Sequence, residues 1–113
     1  MYHDTNRIAL PCNVVKIFNA FVFLKIKCGA KRRPSLTAKR KLQITNAIQV
    51  YGTCDLLLVI RFLSYSEDGY AVFMRTNGYT ELCNILKENK WSDKLDRAKL
   101  YFDCYINKNK KAI

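Results

Sequence analysis

FVFLKIK, residues 21–27, and KRKLQITNAIQ, residues 39–49, decide how this chain is read. In the first stretch Val22, Leu24 and Ile26 alternate with Phe21, Phe23, Lys25 and Lys27. A period of two sends successive side chains to opposite faces of a strand. The second stretch repeats the design, with Leu42 and Ile44 alternating with Lys41, Gln43 and Thr45. Between them CGAKRRPSLTA, residues 28–38, holds Gly29, Pro34 and the basic run Lys31, Arg32 and Arg33, which reads as a connecting loop. Paired antiparallel, the two strands turn Phe23, Lys25, Lys27, Lys39, Lys41, Gln43 and Thr45 to one side. The pattern predicts a half-buried, basic β-ribbon over residues 21–49.

Outward from the ribbon the elements are mixed. PCNVVKIFN, residues 11–19, suits a short helix with Pro11 in its first turn, where a missing N–H costs nothing. In TCDLLLVIRFL, residues 53–63, Leu56, Val59, Ile60 and Leu63 recur at helical spacing, Thr53 is placed to cap the first turn and Asp55 complements its dipole. SYSEDGYAVFMRT, residues 64–76, reads as a hairpin with a turn at 67–69 and a strand from Tyr70 to Arg75. YTELCNILKEN places Leu82, Ile85 and Leu86 on one helical face, and Ser92 opens a last helix with a stripe of Leu95, Ala98, Phe102 and Tyr105. Trp91, between these two helices, reads as a core anchor. The expected class is α+β in the order α-β-β-α-β-β-α-α. Residues 1–20 form an N-terminal segment with a short helix, 21–106 a single domain and 107–113 a frayed basic tail.

A chain of 113 residues that is 50% hydrophobic suits one core. Its formal net charge is +11, and the charge is uneven. Residues 1–50 carry Arg7, Lys16, Lys25, Lys27, Lys31, Arg32, Arg33, Lys39, Arg40 and Lys41 against the single acid Asp4. No carboxylate occurs from 5 to 54, whereas the second half is close to balanced. A field of that sign concentrates phosphates and does little for a fold, so the expected partner is a polyanion, RNA or DNA, on the first half. Neither a membrane nor a small-molecule substrate is expected.

The five cysteines, at 12, 28, 54, 83 and 104, form no C-x-x-C pair, which speaks against zinc; four of the five sit in apolar stretches, and they read as reduced, packed thiols of an intracellular protein. His3, the only histidine, lies near a chain end, a poor place for a catalytic base. No run reaches the roughly 18 apolar residues of a membrane span, and Met1 to Arg7 is not a secretory signal.

In element order the chain resembles the LAGLIDADG family of homing endonucleases and intron maturases, from about Phe21 to Ile106. FVFLKIK and KLQITNAIQ match its first two strands, DLLLVIRFL the helix behind them, YAVFMRT the last strand and TELCNILKENKWSDKLDRAKLYFDCYI the closing helix pair. The resemblance implies an antiparallel, saddle-like sheet with helices packed on one face, lying on nucleic acid and completed by a second LAGLIDADG-like half or other protein subunits. Lys25, Lys27, Lys41, Gln43 and Thr45 would then face the nucleic acid, Arg75 would lie nearby, and Lys31, Arg32 and Arg33 would follow the phosphates, with Lys39 and Arg40 adjoining. The chain departs from the family where its metal-binding acid should stand: Asn19 occupies that place, and Val14 and Phe18 fall near positions given to glycine. An amide is a poor ligand for a hard divalent cation. The expectation is therefore a non-cleaving nucleic-acid-binding module, on its own or as part of a ribonucleoprotein, with no catalytic or metal-ligating residue and no cofactor. The alternatives are an active endonuclease working with a partner half and Mg²⁺, and a structural ribosomal or mitoribosomal RNA-binding protein. The family resemblance favours a mitochondrial location.

Overall fold

A computed structural model describes residues 7–111, without the side chains of residues 88, 89 and 104–111. The expectations for His3, Asp4 and the thiol of Cys104, and for the Tyr105 side chain, lie outside the described set. The chain folds into α1 (Pro11–Lys27), α2 (Ala38–Tyr51), α3 (Thr53–Tyr65), α4 (Gly69–Thr76), α5 (Leu82–Ile85) and α6 (Glu88–Lys111). Among the described residues there is no strand. The expected α+β class, its saddle-like sheet and the basic β-ribbon are therefore overturned: this is an all-helical fold.

The reason lies in the length of the window. Over seven residues a period of two and a period of 3.6 share several positions, and only a longer stretch separates them. Pro11 does open the first helix, but α1 continues through the expected strand. Val14, Ile17, Phe18, Phe21 and Val22 form its buried stripe at helical spacing. A strand would bury Ile26 and expose Phe21, whereas Phe21 is 0% and Ile26 51% exposed. In α2 the buried set is Ile44, Ala47 and Ile48, and Leu42, an inward residue of the expected strand, is 61% exposed. Thr37 starts this helix, its hydroxyl accepting the Arg40 N–H at 3.1 Å. The expected strand 70–75 is α4, begun by Asp68, whose carboxylate accepts the Tyr70 N–H at 2.9 Å. Ala71 and Met74, three apart, face its core side.

Two glycines set the directions of the first three helices. Gly29, at φ 97°, closes α1 by donating its N–H to Ile26 O while Ala30 donates to Lys25 O, a Schellman closure that needs a left-handed residue. Gly52, at φ 91°, joins α2 to α3 with a bend of 114°. It takes the cap position expected of Thr53, which is instead the first, buried residue of α3. Asp55 does lie in the first turn.

α3 is the centre of the molecule and touches α1, α2, α4 and α6. Its Leu56, Val59, Ile60 and Leu63 are all buried, in agreement with their spacing, and each contributes about 1.5–3 kcal/mol relative to exposure. Trp91 is buried and stacks on Tyr51 at 4.1 Å between ring centres. α6 begins at Glu88, before the expected start at Ser92, and runs through the expected tail to Lys111. Leu95, Ala98 and Phe102 meet the core as their stripe requires. The thiols correct another expectation: among the described cysteines, Cys12, Cys54 and Cys83 are exposed and only Cys28 is partly buried. Among the described residues no single helix is long and apolar enough to cross a membrane.

Candidate nucleic-acid interface

Reading residues 16–27 as a helix rather than a strand changes which side chains stand together. Lys16, Asn19, Ala20, Phe23 and Lys27 recur at helical spacing along one side of α1, and α3 carries Arg61 and Tyr65 four apart. Packing of α1 on α3 brings Lys16, Asn19, Ala20 and Phe23 against Arg61 and Tyr65 as the walls of a cleft of about 310 Å³, also lined by Ser64, with Lys27 one turn beyond. The Ser64 hydroxyl donates back to Ile60 O at 2.8 Å, so this wall is satisfied internally.

Phe23 and Tyr65 are 45% and 48% exposed, and their ring centres lie 5.3 Å apart. Two large rings in contact with each other but open to solvent offer a flat apolar surface to a ligand. Cations surround them. The Lys27 ammonium sits 5.2 Å from the Tyr65 ring centre. The Arg33 guanidinium donates to Asn19 Oδ1 at 3.1 Å, which draws the loop after α1 to the rim. Lys16 and Arg61 line the cleft directly. No carboxylate lines it, and among the described residues none forms an ion pair with Lys16, Lys27, Arg33 or Arg61. The cation–π contact of Lys27 is worth about 0.5–1 kcal/mol at such exposure, little enough for the ammonium to exchange it for a phosphate.

The residues expected from sequence are divided by the fold. Lys27 and Arg33 contact lining residues of the cleft, Tyr65 and Asn19. Lys31 and Arg32, in the same loop, and Lys39 and Lys41, on α2, are exposed but do not line it. Gln43 and Thr45 are half-buried on α2, and Gln43 belongs to a separate shallow hollow with Val50, Tyr51 and Leu86.

Three of the expected residues hold the structure together instead. The Lys25 ammonium donates to Glu81 Oε1 at 2.7 Å, and Arg40 lies 3.7 Å from Glu81 Oε2, donates to Ser35 O at 2.9 Å and covers the Phe21 ring at 5.4 Å. This clamp ties α1, α2 and the segment before α5. The Lys25 hydrogen bond holds the Glu81 carboxyl below its ordinary range, with the Lys25 and Arg40 charges adding to it and partial burial opposing. Arg75 donates to Leu63 O at 2.6 Å and lies 3.8 Å from Glu67, which braces α4 against α3.

The sequence set Phe23 on the outer face of the expected ribbon and counted Lys16 in the basic half, but gave no role to Arg61 or Tyr65. The signal was the helical recurrence of Lys16, Phe23 and Lys27, visible once 11–27 is read as one helix. Asn19, placed where the LAGLIDADG acid would stand, is the acceptor that anchors Arg33. The pieces that carried that resemblance as strands are helices in the structure. In comparisons with known proteins no family model matches the chain, and no curated protein or solved structure shows significant similarity.

Proposed function

We propose that this chain binds single-stranded nucleic acid in the α1/α3 cleft, stacking a base on Phe23 and Tyr65 while Lys16, Lys27, Arg33 and Arg61 take the flanking phosphates. The observation that carries the reading is an exposed ring pair beside cations that, among the described residues, have no ion pair, with no described carboxylate lining the cleft. Basic side chains alone suit any polyanion, but exposed aromatic faces among them suit unstacked bases, because every base offers a π-face. The cleft is at the lower end of the roughly 300–1,000 Å³ range of small-molecule sites, a size that admits a nucleotide unit and not a duplex. The net charge of +11 adds long-range attraction.

The test is fluorescence anisotropy with a labelled oligouridylate or oligothymidylate, comparing the wild-type chain with a Phe23→Ala/Tyr65→Ala double variant. Both side chains are about half exposed, so the variant keeps its core, which circular dichroism checks. Stacking of about 1–3 kcal/mol per base makes the expected loss roughly 5- to 150-fold. Heparin, which has charge but no bases, should bind both proteins equally. An unchanged affinity for the oligonucleotide would refute the reading.

A further inference from the structure

A second hollow, of about 360 Å³, lies on the α4, α5 and α6 side of the molecule and shares no lining residue with the cleft. We propose that it is a binding site for a nucleoside phosphate, with the base against Phe73 and Tyr79 and the phosphate among Lys87, Lys90 and Lys94. The proposal does not depend on the nucleic-acid reading of the α1/α3 cleft.

The apolar wall is built from α4 and the segment after it. Phe73 and Tyr79 are 53% and 45% exposed with ring centres 5.8 Å apart, and Met74 and Tyr70 continue the wall inward. The Schellman closure of α4, in which Tyr79 donates its N–H to Met74 O at 2.9 Å, brings Tyr79 back beside Phe73. Such a ring pair left open to water accommodates a flat, weakly polar group.

The opposite wall is cationic. Lys87, Lys90 and Lys94, spaced three and then four apart around the start of α6, all line the hollow. Lys94 is fixed: it is 1% exposed, and its ammonium donates to Asn84 O at 2.8 Å and Ile85 O at 3.0 Å. An ammonium has three donors, so one is left over from these two bonds. Burial pushes the Lys94 pKa down to about 8; Lys87 and Lys90 add repulsion, and Asp93 opposes it. An anion placed among the three ammonium groups relieves the repulsion that Lys87 and Lys90 exert on Lys94. Among the described residues neither Lys87 nor Lys90 has an ion pair.

Among the described residues the one acid lining the hollow, Asp93, is already engaged. Arg97 lies 3.2 Å from it, reaches Asp68 at 3.6 Å and covers the Tyr70 ring at 5.0 Å. The hollow thus joins a flat apolar wall to a wall with surplus positive charge. A phosphate dianion answers three ammonium groups more fully than a single carboxylate, and a nucleobase answers the ring pair. A nucleoside phosphate carries both in one molecule of a size suited to this volume.

Met74, one of two methionines in the chain, lines the hollow and supplies a reporter through its methyl resonance in the intact protein. Titration with AMP should shift it saturably, and adenosine and inorganic phosphate should each bind about tenfold or more weakly, since each satisfies one wall. Lys87→Gln/Lys90→Gln, both exposed positions, should cost about tenfold in AMP affinity without unfolding the chain. The Phe23→Ala/Tyr65→Ala variant should bind AMP as the wild type does. The proposal is overturned by an unshifted Met74 at millimolar AMP, by equal affinity for AMP and adenosine, or by an AMP response that survives the lysine changes or vanishes with the cleft variant.

Discussion

Two sets of cations compete for the role of phosphate ligands, and the salt dependence of binding separates them. Lys16 and Arg61 line the cleft and Lys27 and Arg33 contact its lining residues Tyr65 and Asn19, whereas Lys39 and Lys41 are exposed on α2 and do not line it. Each cation that neutralises a phosphate on a single strand contributes about 0.7 to the slope of log K against log salt, so four contacts predict a slope of about −2.8. Raising salt from about 50 to about 200 mM should then weaken wild-type binding about 50-fold. Lys16→Gln/Arg61→Gln removes two of the four contacts and should bring the slope to about −1.4, with only about a 7-fold loss over the same range. Lys39→Gln/Lys41→Gln changes net charge by the same amount and should leave the slope near the wild-type value. Anisotropy of a labelled oligouridylate across the salt series measures all three proteins under one protocol. A slope that holds in the Lys16/Arg61 variant and falls in the Lys39/Lys41 variant would move the site to α2 and refute the cleft.

Two further predictions concern stability. The folded Lys94 pKa of about 8 lies below its ordinary 10.5, so the unfolded chain binds more protons between these values. Wild-type stability measured against Lys94→Met should rise as pH climbs through that window, by up to about 3 kcal/mol, and a difference in urea midpoints that stays flat from pH 8 to 10.5 would exclude it. Glu81 has the opposite sign: its pKa is lowered, so its contribution is present above the ordinary 4.5 and disappears as pH falls through the folded value. With a side chain 44% exposed the clamp is worth no more than about 1 kcal/mol, and Glu81→Gln should show a small loss in Tm at neutral pH that closes in acid.

Part of the helical framework was legible in local chemistry, while the second half of α1, α2 and α4 read as strands. Pro11 marks the start of α1, and the spacing of Leu56, Val59, Ile60 and Leu63 marks the buried face of α3. What misled was alternation in short windows. Val22, Leu24 and Ile26 look like one face of a strand until Val14, Ile17 and Phe18 are counted with them. Leu42 and Ile44 look alike until Ala47 and Ile48 show that only Ile44 belongs to the buried set. Thr37, three residues before Arg40, was a helix-start signal inside what read as a loop.

The surplus of positive charge in the first fifty residues, the room for one core and the apolar stripe of α3 are properties of the sequence, because composition and near-neighbour spacing are sufficient to define them. Which cations remain free is a tertiary property. Lys25 and Arg40 stand in a run without a carboxylate, yet Glu81 crosses to them from a later segment; Arg75 is claimed by Leu63 O and Glu67. Lys16 and Phe23 meet Arg61 and Tyr65 only because α1 lies against α3. Local pattern records what each side chain is, but an ion pair or a cleft is made between residues dozens of positions apart, and only the packing of the helices brings those together.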